Sequence, residues 1–229
     1  GASAESVGRV ARYARGRDYH VVLRERLTRF EERIREILNE PLEARICVDT
    51  APLLEREIAN RAGLGWIGKN TCLLHHEYGS YLFLGELITT LELAGDSPID
   101  DHCGTCTRCL EACPTRALVA PYRMDATRCI AYWNIEHRGE IPAEIQTELG
   151  DWLYGCDICQ EVCPFNARAP LTPHAEFRET RVPGRIPLTQ LIPLRSSTWK
   201  RMTAGSAAAR ATRRMWQRNA QIVAENLRR

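Results

Sequence analysis

"CGTCTRCLEACP" (residues 103–114) and "CDICQEVCP" (residues 156–164) hold seven of the ten cysteines in a chain of 229 residues. Each run spaces its thiols by two residues, widens to three before its last cysteine and ends in Cys-Pro. Two-residue spacing turns the backbone tightly enough for three thiols to converge on one point, while a fourth, three residues on, points elsewhere. The second run lacks the first of the four positions, and Cys129 stands upstream to replace it. What these sulfurs share decides how the rest of the chain is organised.

The first run matches the C-x2-C-x2-C-x3-C-P pattern of bacterial ferredoxins, in which the fourth cysteine serves the other cluster of a pair. The count then closes on two 4Fe-4S clusters. Cys103, Cys106, Cys109 and Cys163 hold one, and Cys113, Cys129, Cys156 and Cys159 hold the other. Cys47 and Cys72 are left over inside apolar runs and read as small buried hydrophobes. Zinc competes, because paired C-x2-C units also form tetrahedral sites, but four-ligand sites leave the third interleaved cysteine and the Cys-Pro endings without a purpose. Disulfides are disfavoured in a reducing compartment. Two paired clusters conduct single electrons, so another part of the chain is expected to hold the acceptor.

Upstream, residues 1–94 read as part of an α/β domain. Leu23, Leu27, Phe30, Ile34 and Ile37 recur at helical intervals among charges, and the segment 39–41 is expected to end that helix. "ARICVD" reads as a strand carrying Asp49 at its C-terminal end. "TAPLLEREIANRAG" reads as a helix with Thr50 as N-cap, Pro52 in the first turn and Gly63 closing it. A carboxylate at a switch point of an open α/β sheet is placed for acid chemistry; equally, Asp49 serves as a cap. "NTCLLHH" and "SYLFLGELITTLEL" read as two further strands. The loop "GLGWIGKN" either lets backbone amides and Lys69 approach a ligand or is a tight connection; its spacing is not that of a phosphate-binding loop. Tyr19 and His20 form a second polar pair, and adjacent His75 and His76 would face opposite sides of a strand.

Downstream of the polar linker "AGDSPIDDH", residues 95–168 form the cysteine module, and residues 169–229 a proline-rich connection followed by a basic helical tail. From residue 195 onward there are nine Lys/Arg and one acid, so the tail carries +8 and the remainder −6 of the net +2. Such a tail suits a polyanion or is a solvated face. Arg210, Arg213, Arg214 and Arg218 fall at intervals of three and four, on one face if the segment is a single helix. No stretch reaches a membrane-spanning length and the first residues lack the apolar core of a signal peptide, so a cytoplasmic, membrane-free protein is expected. The sequence opens without Met and is expected to lack native N-terminal residues.

"DYH" (residues 18–20), "VDTAPLLERE", "AGLGWIGKNT", "GSYLFLGE", the cysteine pattern and "RNAQIVAENL" together resemble the epoxyqueuosine reductase family over nearly the whole chain. The resemblance implies a cobalamin-dependent, two-cluster oxidoreductase that removes the epoxide oxygen of epoxyqueuosine in tRNA, the last step in making queuosine. It implies a mixed α+β or α/β fold: a partial α/β cobalamin-binding catalytic domain, a ferredoxin-like module and a helical tail. It makes Asp49 the proton donor. It puts Tyr19, His20, Leu54, Lys69, Asn70, Leu73, Leu84 and Cys129 at or near cobalamin, and gives the tail arginines a tRNA anticodon stem-loop to hold. An electron-donor protein and a monomeric state are further expectations. A corrinoid reductive dehalogenase and a non-catalytic ferredoxin-type carrier are the alternatives; the basic tail and the "VDT" run disfavour the first, and residues 1–94 have no use in the second.

Overall fold

The computed structural model describes residues 6–38 and 41–229. The chain opens with β1 (Val7–Val10) and α1 (Tyr19–Leu38). The expected end of that helix at 39–41 falls partly on residues outside those described, as does most of the leading segment. The apolar stripe of α1 is only partly covered among the described residues: Val22 is buried, whereas Phe30 and Ile37 are 56% and 69% exposed.

Next come β2 (Ala44–Cys47), α2 (Glu55–Arg61), β3 (Trp66–Ile67), β4 (Leu73–Leu74) and β5 (Glu86–Thr89). β2 pairs antiparallel with β5, placing Cys47 opposite Glu86. The parallel switch point expected around Asp49 is therefore not formed by these strands. α2 begins four residues later than its sequence suggests, and Thr50 is not its cap. Asp49 takes a left-handed backbone (φ 52°), and Thr50 and Leu53 donate their N–H groups to Val48 and Ala51, so two tight turns use up the segment that would have been the first helical turn. Gly63 does end α2, at φ 68°. β3 and β4 form a hairpin that the glycine-rich loop hides in the sequence, with Trp66 opposite Leu74. A Cβ on Gly65 would stand 2.2 Å from the Leu74 carbonyl oxygen, so glycine here serves close strand packing.

The cysteine module adds α3 (Arg108–Ala112), β6 (Leu118–Ala120), β7 (Arg123–Met124), α4 (Ala143–Glu148), β8 (Trp152–Tyr154) and α5 (Ile158–Glu161). α3 and α5, one in each cysteine run, pack on each other. The remainder forms α6 (Ala175–Arg178), β9 (Arg185–Pro187), α7 (Leu188–Leu191), α8 (Ser196–Thr203) and α9 (Arg213–Asn226). The tail is not one helix. Thr212 Oγ1 caps α9 by accepting from Met215 N at 3.3 Å, and Arg210 ends a separate 3-10 turn.

One sheet binds the chain together in the order β8-β1-β9, parallel between β1 and β8 and antiparallel between β1 and β9. Its strands come from all three sequence segments. Behind it lies the main core, in which Val10, Leu153, Tyr154, Ile186 and Trp216 are almost wholly buried. No helix among the described residues is long and apolar enough to cross a membrane.

Candidate functional site

Asp18 sets up the first constellation. Its Oδ1 accepts from the His20 backbone N–H at 3.0 Å, capping the start of α1, and lies 2.7 Å from His20 Nδ1. His20 Nε2 then reaches Asp49 Oδ2 at 3.1 Å. Tyr19 is stacked between His20 and Phe83, with ring centroids 4.1 and 4.5 Å away. Burial, with Asp49 beside it, raises the Tyr19 phenol well above its ordinary value, so it remains a donor. Burial pulls the His20 imidazole down, but its hydrogen bonds to Asp18 and Asp49 reverse this and leave its pKa raised.

Asp49 does not cap α2. Instead Glu55, in the first turn of that helix, accepts the Asp49 N–H at 2.5 Å and so helps hold the left-handed residue in place. Burial and the neighbouring Glu55 push the Glu86 carboxyl up to about 7. Phe83, Glu55 and Glu86 were not legible as site residues. A first-turn acid six residues after Asp49 was the available signal, and a helix start placed too early obscured it.

The thiols form the second constellation. Cys109 lies within electrostatic reach of Cys103 and Cys106, and Cys163 of Cys106. Cys129 and Cys156 sense each other and Cys113, and Cys159 senses Cys156 and Cys129. Burial raises the thiol pKa at Cys103, Cys109, Cys129, Cys156 and Cys163, to about 12 at Cys156. Among the described residues, no three of these side chains are drawn together as for a single metal ion. Backbone donors are aimed at the sulfurs, as Ala117 N is at Cys113 Sγ, 3.3 Å away. Two sets of four soft donors flanked by N–H groups fit a pair of 4Fe-4S clusters, whose sulfurs take such hydrogen bonds.

The other sequence-selected positions divide between these constellations. Lys69 is buried and gives its ammonium to the carbonyls of Gly104 and Cys106, at 2.5 and 3.0 Å. Asn70, also buried, lines a cavity of about 360 Å³ with Cys103, Cys106, Cys109 and Cys163. Both therefore face the first thiol group. Leu73 is buried in β4, whereas Leu54 is 77% exposed just before α2. Leu84 lies two residues before Glu86, which pairs with Cys47. Cys47 is buried as expected, but Cys72 is more than filler: its thiol hydrogen-bonds Cys159, and this, with burial, pushes the Cys159 thiol up.

The four tail arginines do not form an open row. Arg210 pairs with Glu136 at 2.8 Å, and Arg213 binds the Leu194 carbonyl and Gln217. Arg218 donates to the carbonyls of Trp133, His137 and Gly139, and burial lowers its pKa to about 10. Arg214 is exposed.

These features define a two-cluster iron–sulfur protein, and residues 102–166 match the family model described as "4Fe-4S double cluster binding domain". Residues 1–50 match the model described as "Epoxyqueuosine reductase QueG, DUF1730". The epoxyqueuosine reductase of Xanthomonas campestris pv. campestris is 47% identical over 210 residues, covering 92% of this chain and 59% of the relative. That of Synechocystis sp. is 46% identical over 216 residues, covering 93% of this chain and 74% of the relative. The chain belongs to the epoxyqueuosine reductase family. It spans about three fifths of the length of several curated relatives it matches. A crystal structure of epoxyqueuosine reductase with a tRNA-Tyr epoxyqueuosine-modified stem loop superposes with TM-score 0.92 at 37% identity, over 97% of this chain and 58% of that one. The Bacillus subtilis enzyme, solved with an aspartate-bearing catalytic loop swung out of its active site, gives 0.90 at 36% identity, over 97% and 58%.

Proposed function

We propose that this chain carries the reductive centre of an epoxyqueuosine reductase, converting epoxyqueuosine in tRNA to queuosine with two 4Fe-4S clusters and cobalamin. The observation that supports it most is the Asp18–His20–Asp49 chain, whose two carboxylate–imidazole contacts lie beside the stacked Tyr19 ring. Removing the epoxide oxygen as water takes two electrons and two protons. The leaving oxygen develops negative charge, so a carboxylic acid within hydrogen-bond reach lowers the barrier, typically by a factor of about 10² to 10⁴. Asp49 is that acid. His20, with its raised pKa and a hydrogen bond to Asp49, restores the proton, and Asp18 fixes the imidazole.

Tyr19 and His20 adjoin Asp49, and with Leu54 and Leu84 they would hold cobalamin: exposed Leu54 offers apolar surface and the Tyr19–Phe83 stack a rigid wall. When bound there, cobalamin supplies the low-potential reducing centre that side chains lack. Lys69 and Asn70 do not fit that role, because they face the first thiol group. In the ligand assignment proposed here, Cys103, Cys106, Cys109 and Cys163 hold one cluster and Cys113, Cys129, Cys156 and Cys159 the other. A base stacked in an anticodon loop must leave its stack to reach such a site. Of the four tail arginines, exposed Arg214 is the one assigned here to a phosphate.

The test is single-turnover conversion of an epoxyqueuosine-containing stem-loop by full-length protein. Wild type should form queuosine, and Asp49→Asn should retain iron yet lose at least about 10²-fold in rate. Near wild-type turnover by Asp49→Asn would remove the proton-donor role.

A further inference from the structure

Two buried donors in the β3–β4 connection have no protein partner: the Trp66 indole Nε1 and the Asn70 amide Nδ2. Trp66 is 2% and Asn70 4% exposed, so water does not satisfy them from bulk. An unmet buried donor costs about 1–3 kcal/mol, and such groups are rare enough in folded proteins to require an explanation.

Both donors lie against the same thiols. Trp66 packs on Cys163 with Cys103 and Phe165 alongside. Its indole N–H is buried on this side of the cluster of side chains without making a hydrogen bond. Asn70 is oriented by its own carbonyl, since Oδ1 accepts from Cys72 N at 3.2 Å. That contact fixes which end carries the NH₂, on a residue that lines the cavity with Cys103, Cys106, Cys109 and Cys163. The ammonium of neighbouring Lys69 is already bound to two carbonyls of the same cysteine loop. Of the other walls, Leu74, Pro164 and Phe165 offer no side-chain acceptor; His76 and His102 also line the cavity, but neither takes a hydrogen bond from Trp66 or Asn70.

We infer that Trp66 and Asn70 are hydrogen-bond donors to the sulfurs of the cluster held by Cys103, Cys106, Cys109 and Cys163, so that a hairpin outside the cysteine module tunes that cluster's reduction potential. The inference rests on the two-cluster reading above. A donor N–H stabilises the more negative, reduced cluster over the oxidised one, and so raises its potential. Lys69, with its charge beside the same loop, acts in the same direction.

The experiment is an EPR-monitored redox titration of anaerobically reconstituted protein, with iron and sulfide quantified on each sample. Trp66→Phe and Asn70→Leu should each lower the midpoint of one cluster and leave the other in place, with a larger fall in the double variant. The expected effect is about a tenfold drop in the reduced-to-oxidised ratio at fixed poise, equal to about 59 mV for a one-electron couple. Unmoved midpoints at full iron content would overturn the inference. A second measurement needs no variant: wild-type protein with ¹⁵N-labelled tryptophan should show hyperfine coupling from an indole nitrogen to a reduced cluster, and its absence would also overturn it. If wild-type protein yields no pair of 4Fe-4S signals, the cluster reading itself fails; two normal clusters with unmoved midpoints would remove only the role of Trp66 and Asn70.

Discussion

Asp49 stands on a left-handed backbone that costs an ordinary residue about 1–2 kcal/mol, and the Glu55 carboxylate that takes its N–H offsets part of that cost. Glu55→Gln should therefore preserve turnover far better than Glu55→Ala, because the amide oxygen still accepts; stopped-flow rates on the two variants decide it. His20 carries a proton toward Asp49 only in its charged form. Its pKa lies above the ordinary imidazole value of 6.5, so turnover should fall as pH rises through that elevated value, and His20→Gln should flatten that limb of the rate profile. Glu86 follows the same sign rule for stability. Its carboxyl is raised from 4.5 to about 7, so the protonated form favours folding and that contribution is lost as pH climbs through this window. Glu86→Gln should raise the melting temperature more at pH 8 than at pH 5, as differential scanning fluorimetry under anaerobic conditions would show. At this scale the residue types were readable in advance, since Asp49, Tyr19 and His20 stand in recognisable motifs. Their partners were not, because Phe83 and Glu86 arrive from a distant strand.

Helix α9 shows what the segment "RNAQIVAENL" does. Asn219, fully buried, donates to the carbonyls of Asn134 and Leu153 at 2.9 and 2.8 Å, and Asn226 to those of Gln146 and Gly150. With Arg218 on Trp133, His137 and Gly139, the helix clamps the stretch that follows Cys129 and the strand that leads to Cys156. Loss of one buried hydrogen-bonding side chain that leaves two acceptors unmet should cost about 2–3 kcal/mol. Asn219→Ala should accordingly lower stability by that amount in urea titrations, and it should loosen iron held through Cys129 and Cys156 before that held through Cys103. The helix itself was legible from its spacing. Its inward use was not: arginines three and four residues apart suggest an outer face, and only the packing of Met215, Trp216 and Ile222 shows that the same turns look inward.

In the ligand assignment proposed above, each cluster takes thiols from both cysteine runs; in the fold, the sheet β8-β1-β9 crosses between all three sequence segments. The first crossing was legible because a local spacing rule carries it; the second was not, because "VGRV" has no signal telling which strands it joins. The basic tail contributes to the fold more than to an open cationic surface, so Arg214→Ala should weaken stem-loop binding modestly and lower its salt dependence, while Arg218→Ala should act mainly through stability. The crossed ligation is the claim on which the rest depends, and serine replacement read by EPR on anaerobically reconstituted protein tests it most directly. Cys103→Ser and Cys163→Ser should alter the same cluster signal, and Cys113→Ser and Cys159→Ser the other. If Cys163→Ser and Cys159→Ser alter one signal together while Cys113→Ser follows Cys103→Ser, the ligands do not cross and the account is contradicted.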